Sequence, residues 1–253
     1  MTGIGVPSEN ATKAGRSGSR RSALVFGGTG HLGRAVVRRF ASEGVAVSFT
    51  YHKNADVARA LESEIGARSF STNLSAPNEI RDLFSRLEDP SLVPDILVHC
   101  AVVACRSSLA DVTDSYNDEM YAVNVRSVLV AMQSFVSRLG GREADVVLTA
   151  SQAGITKLPA SVPFAATQSA RLGMTHALAK EFGSSGVRVN LVLLGLLDGG
   201  ISTGIDPVQL ADVQRFSAFS RRGTSVEAAR AIVRLALTNR WMTGSILPVT
   251  GGL

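Results

Sequence analysis

The sequence predicts an α/β fold, a single doubly wound parallel sheet with helices on both faces. Two observations carry this. From Ser22 to the end, short apolar runs alternate with segments of helical period, and glycines or polar turns separate them. Strict alternation of this kind gives a parallel sheet covered on both sides. Neither an internal repeat nor a linker interrupts the alternation, so one domain spans 22–253.

The elements follow in order. Ala23-Leu24-Val25-Phe26 is an uninterrupted apolar run that stops at glycines, as a strand buried on both faces does. A helix is expected over 33–43, closed by Gly44. The second strand is 45–50, and the second helix, 55–65, ends at Gly66. A third strand (69–74), a third helix (77–87) and a fourth strand (95–100) come next. One long helix is predicted over 116–139, then a strand at 145–150 and a second long helix over 164–182. The pattern closes with strand 187–193, helix 225–237 and strand 245–249. The stretch 196–219 reads as a lid, made mobile by Gly199, Gly200 and Gly204. Its apolar residues, among them Leu196, Leu197, Ile201, Phe216 and Phe219, point to a hydrophobic substrate.

Composition excludes several classes. Hydrophobic residues make up 45% of the 253, enough for a large core, yet no apolar run is long enough to span a bilayer. Cys100 and Cys105 form neither a disulfide framework nor a metal site, and their use fits a reducing, cytoplasmic setting. The net charge of +5 is partly local, with Lys13, Arg16, Arg20 and Arg21 near the start. Without a basic stripe carrying interleaved aromatics, no nucleic-acid partner is expected. The first 21 residues, rich in Gly and Ser and lacking an apolar core, read as a disordered extension rather than a signal peptide.

Gly27-Gly28-Thr29-Gly30-His31-Leu32-Gly33 follows a strand and opens a helix. That context turns a glycine-rich string into a dinucleotide cradle: the backbone turns tightly, and free N–H groups at the helix start meet a pyrophosphate. The second strand runs into Tyr51-His52-Lys53 with no acidic residue before Asp56. An acidic side chain there would hold a ribose 2′-hydroxyl, whereas His52 and Lys53 suit a 2′-phosphate. NADP(H) is therefore expected in preference to NAD(H).

On these residues the chain resembles the short-chain dehydrogenase/reductase family from about Ser22 to Leu253, with a pattern close to the 3-oxoacyl-carrier-protein reductase type. The resemblance implies a Rossmann-like sheet. It also implies cofactor contacts at Asn73-Leu74 beside the adenine, at Ala101 where the chain passes the cofactor, and at Gly195 after the sixth strand. His31 stands where the family's middle glycine belongs, and His99-Cys100-Ala101-Val102 is a poor match to the family's NNAG. Ser151 in TASQAG matches the catalytic serine that hydrogen-bonds the substrate carbonyl. Asn124 in YAVNVRS matches the asparagine that holds a water in the proton relay.

The departure lies at the catalytic pair. Thirteen residues after Ser151 the family has tyrosine, and four further on lysine; here these are Phe164 and Gln168. They share one helix face. In the family the lysine lowers the tyrosine pKa, and the phenol moves the proton. A phenyl ring and an amide do not titrate. Thr167 is too weak an acid to substitute, Tyr121 is expected on a packing face, and His99 and His176 are expected to be structural. Three readings stay open. The first is an atypical NADPH-dependent ketoreductase of secondary metabolism, acting on a hydrophobic, activated or cyclic ketone. The second is a catalytically inactive NADP-binding subunit beside an active paralogue, and the third a non-redox dehydratase or cyclase. Family helices also imply a homodimer or, preferentially, a homotetramer.

Overall fold

The computed structural model describes residues 21–87, 93–158 and 160–253. Most of the extension expected over the first 21 residues lies outside the described residues. The chain forms a seven-stranded, wholly parallel sheet in the order β3-β2-β1-β4-β5-β6-β7. The strands are β1 Ser22–Phe26, β2 Ala46–Tyr51, β3 Arg68–Ser71, β4 Ile96–His99, β5 Ala144–Ser151, β6 Val187–Leu194 and β7 Ile246–Val249. Strand order reverses between β1 and β4, and a crevice opens there beyond the carboxyl ends of the strands.

Two apolar layers sandwich the sheet. On one side, α1 (His31–Ser42), α2 (Ala55–Ile65) and α8 (Ser225–Thr238) bury Val36, Phe40, Leu61, Ile232 and Val233 against Val25, Phe49 and Val98. On the other side, α3 (Pro77–Ser85), α5 (Ser127–Val136) and α6 (Val162–Phe182) bury Ile80, Phe84, Met132, Phe135 and Leu178 against Leu24, Phe26 and Leu148. Phe84 lies between Phe26 and Phe135, with ring centroids 6.3 and 6.4 Å apart. At the amino ends of the strands, remote from the crevice, buried Asp145 accepts from Arg21 (2.9 Å) and Arg188 (2.6 Å), which ties β5 to its neighbours.

Two predicted elements differ from those observed. The long helix expected over 116–139 divides into α4 (Asp114–Tyr121), one wide i→i+5 turn (Ala122–Arg126) and α5. The wide turn carries Asn124, whose side chain is fixed outside the helix, as such bulges at functional sites commonly allow. The stretch 196–219, read as a loop, contains the helix α7 (Pro207–Phe216). Asp206 caps it by accepting from the N–H groups of Val208 (2.9 Å) and Gln209 (3.2 Å), and Pro207 supplies a preset first position.

Candidate active site

The carboxyl ends of β1, β2, β4, β5 and β6 border a cavity of about 870 Å³. Gly27, Thr29, Gly30, His31, Leu32 and Gly33 line one wall, and His52 and Lys53 stand at the end of β2. Asn73, Leu74, Ala101, Gly195 and Ser151 complete the set that the sequence placed around a cofactor and a substrate carbonyl. Asn124 is the exception, because it lies wholly buried behind the cavity wall.

The glycine-rich turn is held from below. Thr50 Oγ1 accepts from the Gly27 N–H (3.0 Å), and the Thr50 carbonyl accepts from the Gly28 N–H (2.8 Å). Gly27 sits at φ +78°, and a Cβ on Gly33 would fall 2.0 Å from the Gly27 carbonyl oxygen, so neither position admits a side chain. α1 starts at Gly30 with no side-chain cap and no acidic residue in its first turn, which leaves its N–H groups and positive end for an anion. This cradle, with His52 and Lys53 lining the same cavity, fits a dinucleotide carrying a 2′-phosphate. The His31 side chain reaches the 196–219 segment. Its Nε2 lies 2.8 Å from Asp198 Oδ1, and a Cβ on Gly199 would lie 2.7 Å from the imidazole Cε1. Arg106 reaches the same segment and donates to the carbonyls of Ile201 (2.6 Å) and Thr203.

β5 ends at Ser151. Gln168 on α6 accepts from the Ser151 N–H through Oε1 (3.0 Å), so its amide holds the serine backbone. Ser151 Oγ accepts from the Ala153 N–H (3.2 Å), which leaves its own proton to donate into the cavity. Phe164 is buried against Cys105 and Met120 and presents only hydrocarbon to the cavity. Asn124 clamps the loop after β4: its Oδ1 accepts from the Val103 N–H, and its Nδ2 donates to the Val103 carbonyl (both 2.8 Å) and to Thr167 Oγ1 (3.0 Å). Thr167 Oγ1 donates to the Phe164 carbonyl (2.8 Å), so it too is occupied. Asn124 and Thr167 therefore position the site's walls.

The sequence reading overlooked Arg171. Three residues beyond Gln168 and on the same helix face, it is fully buried and lines the cavity. Nε donates to the Asn124 carbonyl (2.8 Å), Nη1 to the Thr149 carbonyl (2.7 Å) and Nη2 to the Ala101 carbonyl (2.8 Å). Burial draws its pKa down to about 10, so the charge persists at neutral pH. Burial first, and then the Arg171 charge, push the His99 imidazole well below its ordinary range, so it is neutral. Nη2 approaches His99 Nδ1 (3.4 Å), while Ser127 Oγ, 2.8 Å from Nε2, donates its own proton to the Val123 carbonyl (2.6 Å). This pattern assigns the imidazole proton to Nε2. Burial also pushes the Cys100 thiol up to about 12, which removes it as a nucleophile. At the 196–219 segment, His31, Asp198 and Arg106 also went unforeseen as partners, because their contacts join segments far apart in sequence.

The chain matches the family described as enoyl-(acyl carrier protein) reductase over residues 29–253, from the glycine-rich turn to the last residue. Nodulation protein G of Rhizobium sp. (strain N33) is 27% identical, across 92% of this chain and 96% of that protein. The 3-oxoacyl-(acyl-carrier-protein) reductase FabG of Staphylococcus epidermidis is 24% identical, across 92% and 98%. A solved short-chain dehydrogenase from Burkholderia cenocepacia J2315, in complex with NADP, superposes with a TM-score of 0.84. It is 30% identical, and the superposition covers 92% of this chain and 97% of that one. Sheet order, cradle and these matches agree: the chain belongs to the short-chain dehydrogenase/reductase family.

Proposed function

We propose that the chain is an NADPH-dependent carbonyl reductase that works without a side-chain proton donor, on hydrophobic ketones activated by a neighbouring enol or phenol hydroxyl. The observation that carries this reading is the pairing of a complete dinucleotide cradle and an available Ser151 hydroxyl with Phe164 and Gln168, neither of which ionises. The cradle, His52 and Lys53 would hold the cofactor, which when bound supplies a hydride to the carbonyl carbon. Ser151 donates a hydrogen bond to the carbonyl oxygen, and Gln168 holds the serine in place for it. Arg171 keeps a fixed positive charge beside the cavity, where negative charge develops on that oxygen. The proton that completes the alcohol comes from water or from the substrate's own hydroxyl. Loss of a general acid alone costs ~10²–10⁴ in rate, and an internally hydrogen-bonded ketone needs less of that help. The relatives add support: one is a 3-oxoacyl-(acyl-carrier-protein) reductase, and a structural neighbour is in complex with NADP.

A closed homo-oligomer, dimer or tetramer, completes the proposal. Tyr121, Leu129, Trp241 and Met242 are large apolar side chains left exposed in the single chain. No helix among the described residues is long and apolar enough to cross a membrane.

The test is titration with NADPH and NADH by fluorescence or calorimetry. NADPH binds more tightly, and Lys53→Glu reduces that preference about tenfold, the loss expected for one charge-assisted phosphate contact. Failure of both cofactors to bind below millimolar concentration overturns the reading. Tight NADPH binding with no turnover on any ketone, together with co-purification of a second reductase, moves it to the inactive-subunit alternative.

A further inference from the structure

Residues 196–204 leave the end of β6 and run over the neighbouring strand ends. In the strand order β1-β4-β5-β6, the segment starts after β6, meets Arg106 in the loop beyond β4 and reaches His31 beyond β1. It therefore bridges the crevice where strand order reverses. Its foot is fixed by backbone: the Asp198 N–H donates to the Gly223 carbonyl (2.9 Å), and the Gly223 N–H to the Leu196 carbonyl (3.0 Å). Among the described residues, the other hydrogen bonds that tie 198–204 to the rest of the chain come from two side chains. A carboxylate only accepts, so His31 Nε2 carries the proton it shares with Asp198 Oδ1 (2.8 Å). Arg106 Nη2 donates to the carbonyls of Ile201 (2.6 Å) and Thr203. The backbone packs closely on both side chains: a Cβ on Gly200 would lie 2.9 Å from His31 Cβ, and one on Gly204 3.2 Å from Arg106 Nη1. Gly199, Gly200 and Ile201 line the large cavity, whereas Asp198 does not.

We infer that 196–204 is a strap held shut across the dinucleotide crevice by two clasps, His31–Asp198 and Arg106, and that their opening sets the rate at which the cofactor enters and leaves. Asp198 and Arg106 are positioning residues, which act on the cofactor through the strap. His31 belongs to the cradle and to a clasp at once, so the strap is fastened directly to the cofactor's binding turn. The inference rests on the dinucleotide reading of the cradle and not on carbonyl reduction. A clasp that closes the free and the loaded protein alike makes both directions wait for the same opening step. Weakening it speeds association and dissociation by one factor and leaves the affinity unchanged. Loss of a direct contact instead speeds dissociation alone.

Stopped-flow fluorescence on the full chain measures NADPH association on mixing, and dissociation on displacement by excess NADP⁺. Asp198→Ala removes one clasp at a residue outside the cavity wall, and Arg106→Met removes the other. The His31 and Asp198 side chains are 26% and 42% accessible, so each clasp is a solvent-exposed one, and each variant speeds both rates by about two- to fivefold. The double variant gains about tenfold in both directions, with Kd constant within about twofold. Gly199→Ala is an independent check, because its Cβ would fall 2.7 Å from the imidazole Cε1 and displace the ring. It speeds both rates as Asp198→Ala does. Unchanged rates in Asp198→Ala and in the double variant, or a rise confined to one direction in either, overturns the inference and leaves the cofactor reading standing. Failure of the wild type to bind NADPH below millimolar concentration overturns both. Equal acceleration in both directions without turnover of any ketone supports the inference while the reductase reading falls.

Discussion

Arg171→Met removes the buried cation at the cavity wall while roughly keeping its length. Three carbonyls, those of Asn124, Thr149 and Ala101, lose a donor at 2.7–2.8 Å. Each buried acceptor stripped of its partner costs ~1–3 kcal/mol. Against this, the variant no longer buries a charge, a cost visible in the lowered pKa of about 10. The three stripped acceptors together cost ~3–9 kcal/mol, relief of charge burial offsets part of that, and the balance is a net loss of ~3–5 kcal/mol. For a domain of this size each kcal/mol moves Tm by ~2–4 °C, so the melting temperature falls by ~6–20 °C. Arg171→Lys keeps the charge but not the three-way fork, and its loss is intermediate. Scanning calorimetry and urea unfolding read both variants. Because Arg171 anchors the Ala101 carbonyl at the cavity, NADPH affinity weakens as well. An Arg171→Met protein as stable as the wild type within ~1 kcal/mol would refute the argument, since charge burial would then fully offset the three bonds.

Glu227 closes a capping box with Thr224 and pairs with Arg221. The hydrogen bond from Arg221 first, then those from Thr224, hold its carboxyl down at about 2. A depressed carboxylate stabilises the fold above its unfolded pKa, and that contribution is lost as pH falls toward about 2. Glu227→Gln therefore flattens the decline of stability between the ordinary carboxylate range and about pH 2, as acid unfolding followed by circular dichroism would register. Assembly is read by light scattering at micromolar concentration. A dimer or tetramer is expected, unchanged when the first 20 residues are deleted, and a clean monomer counts against it.

The sheet was legible because parallel strands buried on both faces spell themselves out as apolar runs, and the Gly27–Gly33 turn marked the crevice. The divided helix was not, since the wide turn at Asn124 depends on a loop 21 residues upstream that clamps its side chain. α7 carried its own signal in Asp206-Pro207, but the nearby glycines outweighed it. That Phe164 and Gln168 carry no ionisable group was plain in the sequence. What Gln168 does instead, holding the Ser151 backbone, depends on packing across the end of the sheet. Arg171 was within reach. A charged residue three positions past Gln168 on an inward face calls for a buried partner, yet the carbonyls that serve it come from three separate segments.

The central claim is that carbonyl reduction proceeds here without an ionisable side chain at the family's acid position. The pH dependence of kcat/KM tests it most directly, with NADPH and 2′-hydroxyacetophenone, for the wild type and for Phe164→Tyr/Gln168→Lys. Wild-type turnover with no ionisation step assignable to positions 164 and 168 is expected, together with poor reduction of acetophenone. The double variant gains activity toward acetophenone and acquires a pH step. Robust wild-type reduction of acetophenone, or a phenol-like step in the wild-type profile taken with acetophenone, which does not itself ionise, would contradict the account by locating a side-chain acid elsewhere in the cavity.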